Sequence, residues 1–277
     1  MNRPAEPEYL IIRARESWWR VDLGELWRYR EVIWFLVWRD FKVRYRQTLL
    51  GVAWALIQPL LTVAIFTLLF ARFAGVSSGG TPYPLFALAG FVPWAFFSYG
   101  VGAATGCMLN NQDLVKRIYF PRLAIPLAAI FSGLADMAIG LTLLAAFLLW
   151  FGQPLGPNAL MIPLFLLQGI GATIGVGLIL SAANARFRDI GHAVPFVLQI
   201  GLLATPIGYA SASVPEQWQL VYHLNPMAGV IDGVRWALLG TPLRLDMWLV
   251  SLGTALFALI GGALYFHRNE RMLADIL

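Results

Sequence analysis

Residues 123–151 read LAIPLAAIFSGLADMAIGLTLLAAFLLWF, an apolar run interrupted by one charge, Asp136. Such a run exceeds the roughly 20 residues that cross about 30 Å of hydrocarbon at about 1.5 Å per residue. Lys116, Arg117 and Arg122 stand just before it, whereas no Lys or Arg follows until Arg186. Basic flanks on one side only are what an oriented membrane span shows.

Five more runs have the same character: Leu49–Ala71, Pro84–Cys107, Asn158–Ala183, Gly191–Ser211 and Met247–Phe266. Numbering the connections alternately inside and outside puts ten basic residues of the N-terminal tail inside. Lys116, Arg117 and Arg122 join them, then Arg186 and Arg188, then Arg268 and Arg271. Outside lie only Arg72, Arg235 and Arg244. This bias predicts six transmembrane helices with both termini cytoplasmic, and a shift of one span would scramble it. The expected fold is all-α and polytopic, with residues 1–48 as a cytoplasmic lead-in and 49–277 as one six-span membrane domain.

Composition agrees. The chain is 59% hydrophobic and 13% charged, about half the charged fraction of a soluble domain. Its net charge of +5 resides in tail and loops that face anionic lipid headgroups, so it implies membrane lipid and not nucleic acid as a partner. The single cysteine, Cys107, forms no intrachain disulfide. The first 48 residues carry ten basic and seven acidic side chains and no isolated apolar core, so no cleavable signal peptide is expected.

Charge inside the spans is the usual mark of proton relays and intramembrane catalysis. Here Asp136 stands alone at mid-span. It is read either as a cation or proton site, or as an acceptor inside the bundle that pairs with a basic residue. The absence of a relay partner favours the second reading.

From Asp22, as N-cap with Glu25 in the first turn, a helix is expected. Arg28, Glu31, Arg39, Lys42 and Arg46 fall within an arc of about 80° on it. Trp and other apolar side chains occupy much of the remainder, interrupted by Arg30, Asp40 and Arg44. It is too charged to span and suits an amphipathic helix lying in the headgroup plane. After the second span, Leu109–Arg122 predicts a short cytoplasmic helix ended at Pro121. Between spans five and six, the apolar stretches Gln217–Leu224 and Met227–Leu239 are too short to cross. Asn225-Pro226 separates them, and a pair of short re-entrant helices is expected. Asp232 and Arg235 are spaced to pair on one face. Gly102–Gly106 and Gly171–Gly175 have GxxxG spacing, read as intrachain packing. No GxxxxGK[ST] occurs, so the chain hydrolyses no ATP through a P-loop.

Four motifs in order resemble one family. Arg39-Asp40-Phe41-Lys42-x-Arg44-Tyr45-Arg46 is followed by Gly51, Trp54 and Pro59. Asn110 precedes Leu114-Val115-Lys116-Arg117 and Phe120-Pro121-Arg122. Asn184-x-Arg186-Phe187-Arg188-Asp189-Ile190 comes next, and Leu224-Asn225-Pro226-Met227 with Arg235 completes the set. Together they resemble the permease subunits of type-2 ABC exporters of polysaccharides, the O-antigen and teichoic-acid export family. The resemblance implies a homodimer in the bacterial inner membrane, driven by two separate cytoplasmic ATPase subunits that bind the ATP and magnesium. It implies no cofactor and no catalytic or metal-binding residue in this chain, and a substrate that is an undecaprenyl-diphosphate-linked polysaccharide. By resemblance, Asn110, Leu114, Lys116, Arg117, Phe120 and Arg122 form the ATPase-coupling element. Asn225, Pro226, Asp232 and Arg235 belong to a periplasmic gate.

A conduit for glycan needs weak stacking contacts, and the aromatic candidates are Tyr45, Trp54, Trp94, Phe97, Tyr99 and Tyr209. Phe97 and Tyr99 lie about 200° apart on a helix, so only one faces the conduit squarely; Phe97, on the Trp94 face, is preferred. Two other functions compete: a type-2 permease for drugs or smaller lipids, and an integral-membrane transferase of glycan or lipid assembly. The second needs converging acids, bases or metal ligands, yet His192, His223 and His267 fall on both sides of the predicted membrane.

Overall fold

The computed structural model describes residues 23–46, 51–117 and 120–276, and among them the regular structure is helical. The chain opens with α1 (Leu23–Arg28) and α2 (Arg30–Tyr45). The single helix expected from Asp22 is thus two. Tyr29 leaves helical geometry (φ −93, ψ 16) where its ring packs on the cluster around Cys107 and Phe120. Asp22, the Glu25 side chain and the start of span one at Leu49 lie outside the described residues.

Helix α3 (Trp54–Phe66) runs on through a π-helical segment, Thr67–Phe73. Helix α4 (Tyr83–Asn110) is followed by α5 (Gln112–Arg117). Helices α6 (Ala124–Phe131) and α7 (Leu134–Trp150) form one crossing bent at Ser132-Gly133. Gly133 is needed at the bend because a Cβ there would lie 2.6 Å from the Tyr99 ring. Helix α8 (Ile162–Arg186) and α9 (Asp189–Ala204) follow, then α10 (Glu216–Tyr222), α11 (Pro226–Leu239) and α12 (Leu245–Ile276).

Among the described residues, five helical stretches are long and apolar enough to cross a membrane: Trp54–Phe73, Tyr83–Asn110, Ala124–Trp150, Pro157–Arg186 and Leu245–Glu270. The expected fifth span, Gly191–Ser211, is shorter as a helix than its apolar run. It stops at Ala204 because Thr205 precedes Pro206 and is driven to extended geometry (φ −90, ψ 148). The next residues, Thr205–Gly208, are buried without being helical.

Successive long helices run between two ends of the bundle. At one end Arg39 of α2 donates to Asn111 Oδ1 at 2.9 Å, and Arg122 donates to the Glu270 carbonyl. At the other, the Tyr83 hydroxyl donates to the Gly208 carbonyl at 2.6 Å and Phe165 meets Trp236 edge-on. Helix α4 is the most enclosed, with most of its length buried. It packs on α8, where Gly177 faces Ala104 and Gly100 faces Thr173. The Gly171–Gly175 motif is intrachain: a Cβ on Gly175 would sit 2.3 Å from the Ala258 backbone of α12. Helices α3, α9 and α12 leave broad apolar faces exposed, including Phe73, Phe196 and Phe257.

Candidate transport site

Helices α3, α4, α7 and α9 surround a cavity of about 720 Å³, closed at one end by α2. Trp54, Trp94 and Tyr99 give it aromatic wall, and Gln58, Thr62, Ser98 and Gln199 give it uncharged polar wall. At the α2 end stand Arg44, Tyr45 and Asp136. Weak, varied contacts of this kind suit a solute that must both enter and leave.

The charged end is built by the bend at Ser132-Gly133, which turns the first residues of α7 toward α2. Arg44 donates to Asp136, and the Tyr45 hydroxyl donates to the other Asp136 oxygen. Arg44 also reaches Ser132 Oγ at 3.1 Å, and its guanidinium lies 3.8 Å from the Tyr99 ring centre. Tyr99 in turn meets Ser132 Oγ at 2.8 Å. Burial first, then the bond to Asp136, pushes the Tyr45 hydroxyl up to about 12, so it remains a donor at neutral pH. Of the charges that interrupt the apolar region of α2, Asp40 pairs with Arg39, which also reaches Asn111, and Arg44 reaches Asp136 and Ser132. Trp27, Trp34 and Trp38 point outward.

Of the six aromatic candidates, Tyr45, Trp54, Trp94 and Tyr99 line the cavity, and Phe97 and Tyr209 do not. Phe97 is buried in the main apolar cluster, its ring 5.4 Å from that of Trp94. Helix α4 turns Tyr99 to this cavity and Phe97 to the core. Tyr209 sits at the far end, donating to Ala204 at 3.2 Å and accepting from Tyr222 at 3.0 Å. The polar wall residues were not singled out in the sequence. The available signal was Gln58 and Gln199, amide side chains inside otherwise apolar runs.

Around α5, Asn110 and Lys116 are exposed and Leu114 is half-buried. Phe120 is buried in the cluster with Met108 and Phe266, and Arg122 is tied to α12. The Arg117 side chain lies outside the described residues. The next motif has a structural reason. Asn184 Nδ2 donates to the Thr105 carbonyl at 2.9 Å, and its Oδ1 accepts from Gly191 N at 2.7 Å. One side chain joins α8, α4 and α9.

At the opposite end, Asn225 caps α11 by accepting from Met227 N at 3.0 Å, with Pro226 at the first helical position. Its Nδ2 donates to Thr205 Oγ1 at 2.9 Å. The expected Asp232–Arg235 pair does not form. Asp232 instead lies 3.3 Å from His223 Nε2. Arg235, 2% exposed, donates to the carbonyls of Phe86, Pro206, Ile207 and Tyr209. Its guanidinium stacks 3.4 Å from the Phe86 ring centre. Gly90 leaves the room, since a Cβ there would lie 2.8 Å from Arg235 Nη2. The irregular residues after α9 present carbonyls that no helix satisfies, and Arg235 takes them up. Burial lowers its pKa to about 10, with Asp232 opposing the shift, so it stays charged at neutral pH. His223 is subject first to burial, which disfavours its charge, but the Asp232 and Gln219 bonds prevail and raise its pKa.

The sequence comparison gives the class of this helical bundle and its aromatic and polar cavity. The chain belongs to the ABC-2 type transporter family, whose pattern matches residues 31–239, from α2 to the end of α11. It is a transporter membrane component and not an enzyme. It is 30% identical over 210 residues to the O-antigen export system permease protein RfbA of Myxococcus xanthus, covering 75% of this chain and 80% of that one. It is 27% identical over 240 residues to RfbA of Klebsiella pneumoniae, covering 86% and 92%. The polysialic acid transport protein KpsM of Escherichia coli is 25% identical over 242 residues, covering 86% and 93%.

Proposed function

We propose that this chain is the membrane subunit of an ATP-driven exporter of lipid-linked polysaccharide, most closely an O-antigen type of cargo, working as a homodimer in a bacterial inner membrane. The observation that carries the reading is the cavity of Trp54, Trp94, Tyr99, Gln58, Thr62 and Gln199 in a chain similar along most of its length to permeases named for O-antigen and polysialic acid. Aromatic faces stack on sugar C–H groups, and amides and hydroxyls exchange hydrogen bonds with sugar hydroxyls; both interactions are individually weak. Two cytoplasmic ATPase subunits supply the ATP and magnesium chemistry.

On this reading the membrane is crossed six times. The fifth crossing is α9 together with Thr205–Ala210, whose non-helical backbone is tolerable at that depth because Arg235 and Tyr83 satisfy it within protein. The α2 end is cytoplasmic, in keeping with the charge bias. The exposed Trp27, Trp34 and Trp38 rest in the headgroup layer. Exposed Asn110 and Lys116, with Leu114 and Arg117, meet the ATPase, while Phe120 and Arg122 anchor that element to the bundle. Helices α10 and α11 dip in from the periplasmic side, held by Asn225, Pro226, Asp232 and Arg235, and form the gate.

The test is deletion of this chain from its own cell, followed by glycan analysis. Finished lipid-linked glycan should accumulate out of reach of an externally added glycosidase. Unchanged surface glycan would refute the reading.

A further inference from the structure

His223 and Asp232 lie at the end of the bundle away from α2 and do not line the cavity. Both ring nitrogens of His223 face an acceptor. Nδ1 lies 2.8 Å from the Gln219 carbonyl of α10, and Nε2 lies 3.3 Å from Asp232 Oδ2 on α11. A neutral imidazole has one N–H and satisfies one of the two, whereas the imidazolium has two and satisfies both. With the ring 3% exposed, water does not replace a missing donor. Loss of the proton therefore sets a nitrogen lone pair against either a carbonyl or a carboxylate. The backbone beside the ring is fixed from another side, since Ser251 Oγ of α12 donates to the His223 carbonyl at 2.8 Å. What the ring adds is a link from α10 to α11. Trp218 and Val221 on α10 are more than half exposed, so this helix has room to move.

The charged and titratable groups around the ring come from several elements. Helix α10 brings Glu216 and Tyr222, and α11 brings Asp232 and Arg235. The segment after α9 brings Tyr209, and the approach to α12 brings Arg244 with Asp246. Between about pH 5.5 and 8.5 carboxylates, tyrosines and arginines ordinarily keep one charge state, so the proton that comes and goes here is that of His223. We propose that His223 and Asp232 form a proton-operated latch between α10 and α11: the protonated ring holds α10 against α11, and the neutral ring releases it. With these helices on the periplasmic side, an acid medium keeps the gate held and an alkaline one frees it. That α10 belongs to a gate rests on the export reading, but the latch stands on the geometry of His223, Gln219 and Asp232.

The measurement is the mobility of a spin label on the exposed Gln217 position of α10, as Gln217→Cys in a Cys107→Ser background, with the full chain in nanodiscs. The label should be held at acid pH and freed as pH rises, within about two pH units as befits a single proton. Burial opposes the charge on His223 but its bonds to Asp232 and Gln219 outweigh burial, so the midpoint should lie above the ordinary value of 6.5. A label whose mobility ignores pH, or rises toward acid, overturns the proposal.

Asp232→Asn separates a latch from a merely structural pair. An amide offers Nε2 a donor, so a neutral ring then satisfies both neighbours, with Nδ1–H donating to Gln219 and Nε2 accepting. This variant should stay held across the range and lose the transition. A structural pair predicts a label freer than wild type at every pH, and that outcome refutes the latch. Nitrogen-15 resonances of the three histidines decide the matter without a substitution at the latch, should that variant fail to fold; His192→Gln and His267→Gln assign the other two. His223 should carry two N–H groups at acid pH and lose one over the range that frees the label. One N–H throughout, or two throughout, refutes the proposal. Normal glycan export with no pH response of α10 removes this inference alone. An intact pH response without export removes the export reading alone.

Discussion

Replacing Arg235 with leucine keeps an apolar stem in the same space and deletes the guanidinium that four carbonyls share. The carbonyls of Phe86, Pro206 and Ile207 are bonded within buried surroundings, and that of Tyr209 is partly exposed. The Phe86 carbonyl keeps its place in the α4 ladder, whereas the buried carbonyls of Pro206 and Ile207 are left unpaired at about 1–3 kcal/mol each, roughly 2–6 kcal/mol together. Removing the guanidinium also relieves its own desolvation, which offsets part of that sum. A net loss of about 3–5 kcal/mol follows, the usual size for breaking a buried charged contact. With about 2–4 °C per kcal/mol for chains of 150–250 residues, the melting temperature in detergent should fall by roughly 6–20 °C.

Arg235→Lys should recover only part of this. Its three donors converge on one atom and cannot serve carbonyls spread around a planar fork. Gly90→Ala should act in the same direction, because the new methyl would lie 2.8 Å from the pinned Arg235 guanidinium and 3.3 Å from the Ile207 backbone. The assay is thermal unfolding of purified protein followed by size-exclusion chromatography or a thiol-reactive dye on Cys107, which is buried in the fold. Wild-type melting for Arg235→Leu, or indistinguishable Leu and Lys variants, would refute the idea that this side chain supports the unwound segment.

Three shorter predictions accompany it. The pKa of His223 is raised on folding, so its contribution to stability is full below the ordinary value of 6.5 and is lost as pH rises through the folded value; Asp232→Asn should flatten that fall in a melting-temperature series from pH 5.5 to 8.5, taken in about half-unit steps around the ordinary His value. Gly175→Ala should prevent normal assembly of α8 on α12, since its Cβ would meet backbone at 2.3 Å, whereas Gly171→Ala meets only a Leu259 methyl at 3.6 Å and should leave expression and gel-filtration behaviour near wild type. In a Cys107→Ser background, Ser77→Cys, Leu155→Cys and Glu216→Cys should react with an impermeant thiol reagent added to intact cells, while Gln112→Cys and Asp189→Cys should not; labelling at 112 would overturn the six-crossing orientation.

Features that depend on local composition were readable in the chain itself. The apolar runs and their one-sided basic flanks locate the long helices, because bilayer thickness and headgroup charge act on each segment separately. Asn225-Pro226 announces the start of α11 for an equally local reason, a capping amide followed by a residue that needs no N–H donor. The end of α9 was legible in principle at Thr205-Pro206, but the apolar run continues past it and hydropathy alone carries the span to Ser211. The choice between Phe97 and Tyr99 was not legible. Periodicity places them on different faces of α4 without saying which face α7 covers, and Gly133 and Ser132 decide that from more than thirty positions away.

The charged contacts sharpen the distinction. Arg44 interrupts the apolar face of α2, and Asp136 interrupts an apolar span 92 residues later; each alone is costly to bury. Two such anomalies of opposite sign in one membrane chain make each other's natural partner, since pairing reduces a desolvation cost that neither escapes singly. Arg235 shows where this rule stops. Its nearest acid in sequence, Asp232, is taken by His223, and its charge is met by backbone carbonyls that exist only because α9 ends early at Pro206. A carbonyl leaves no signature in a sequence, so a buried arginine whose partner is unwound backbone becomes recognisable only once that unwinding is seen.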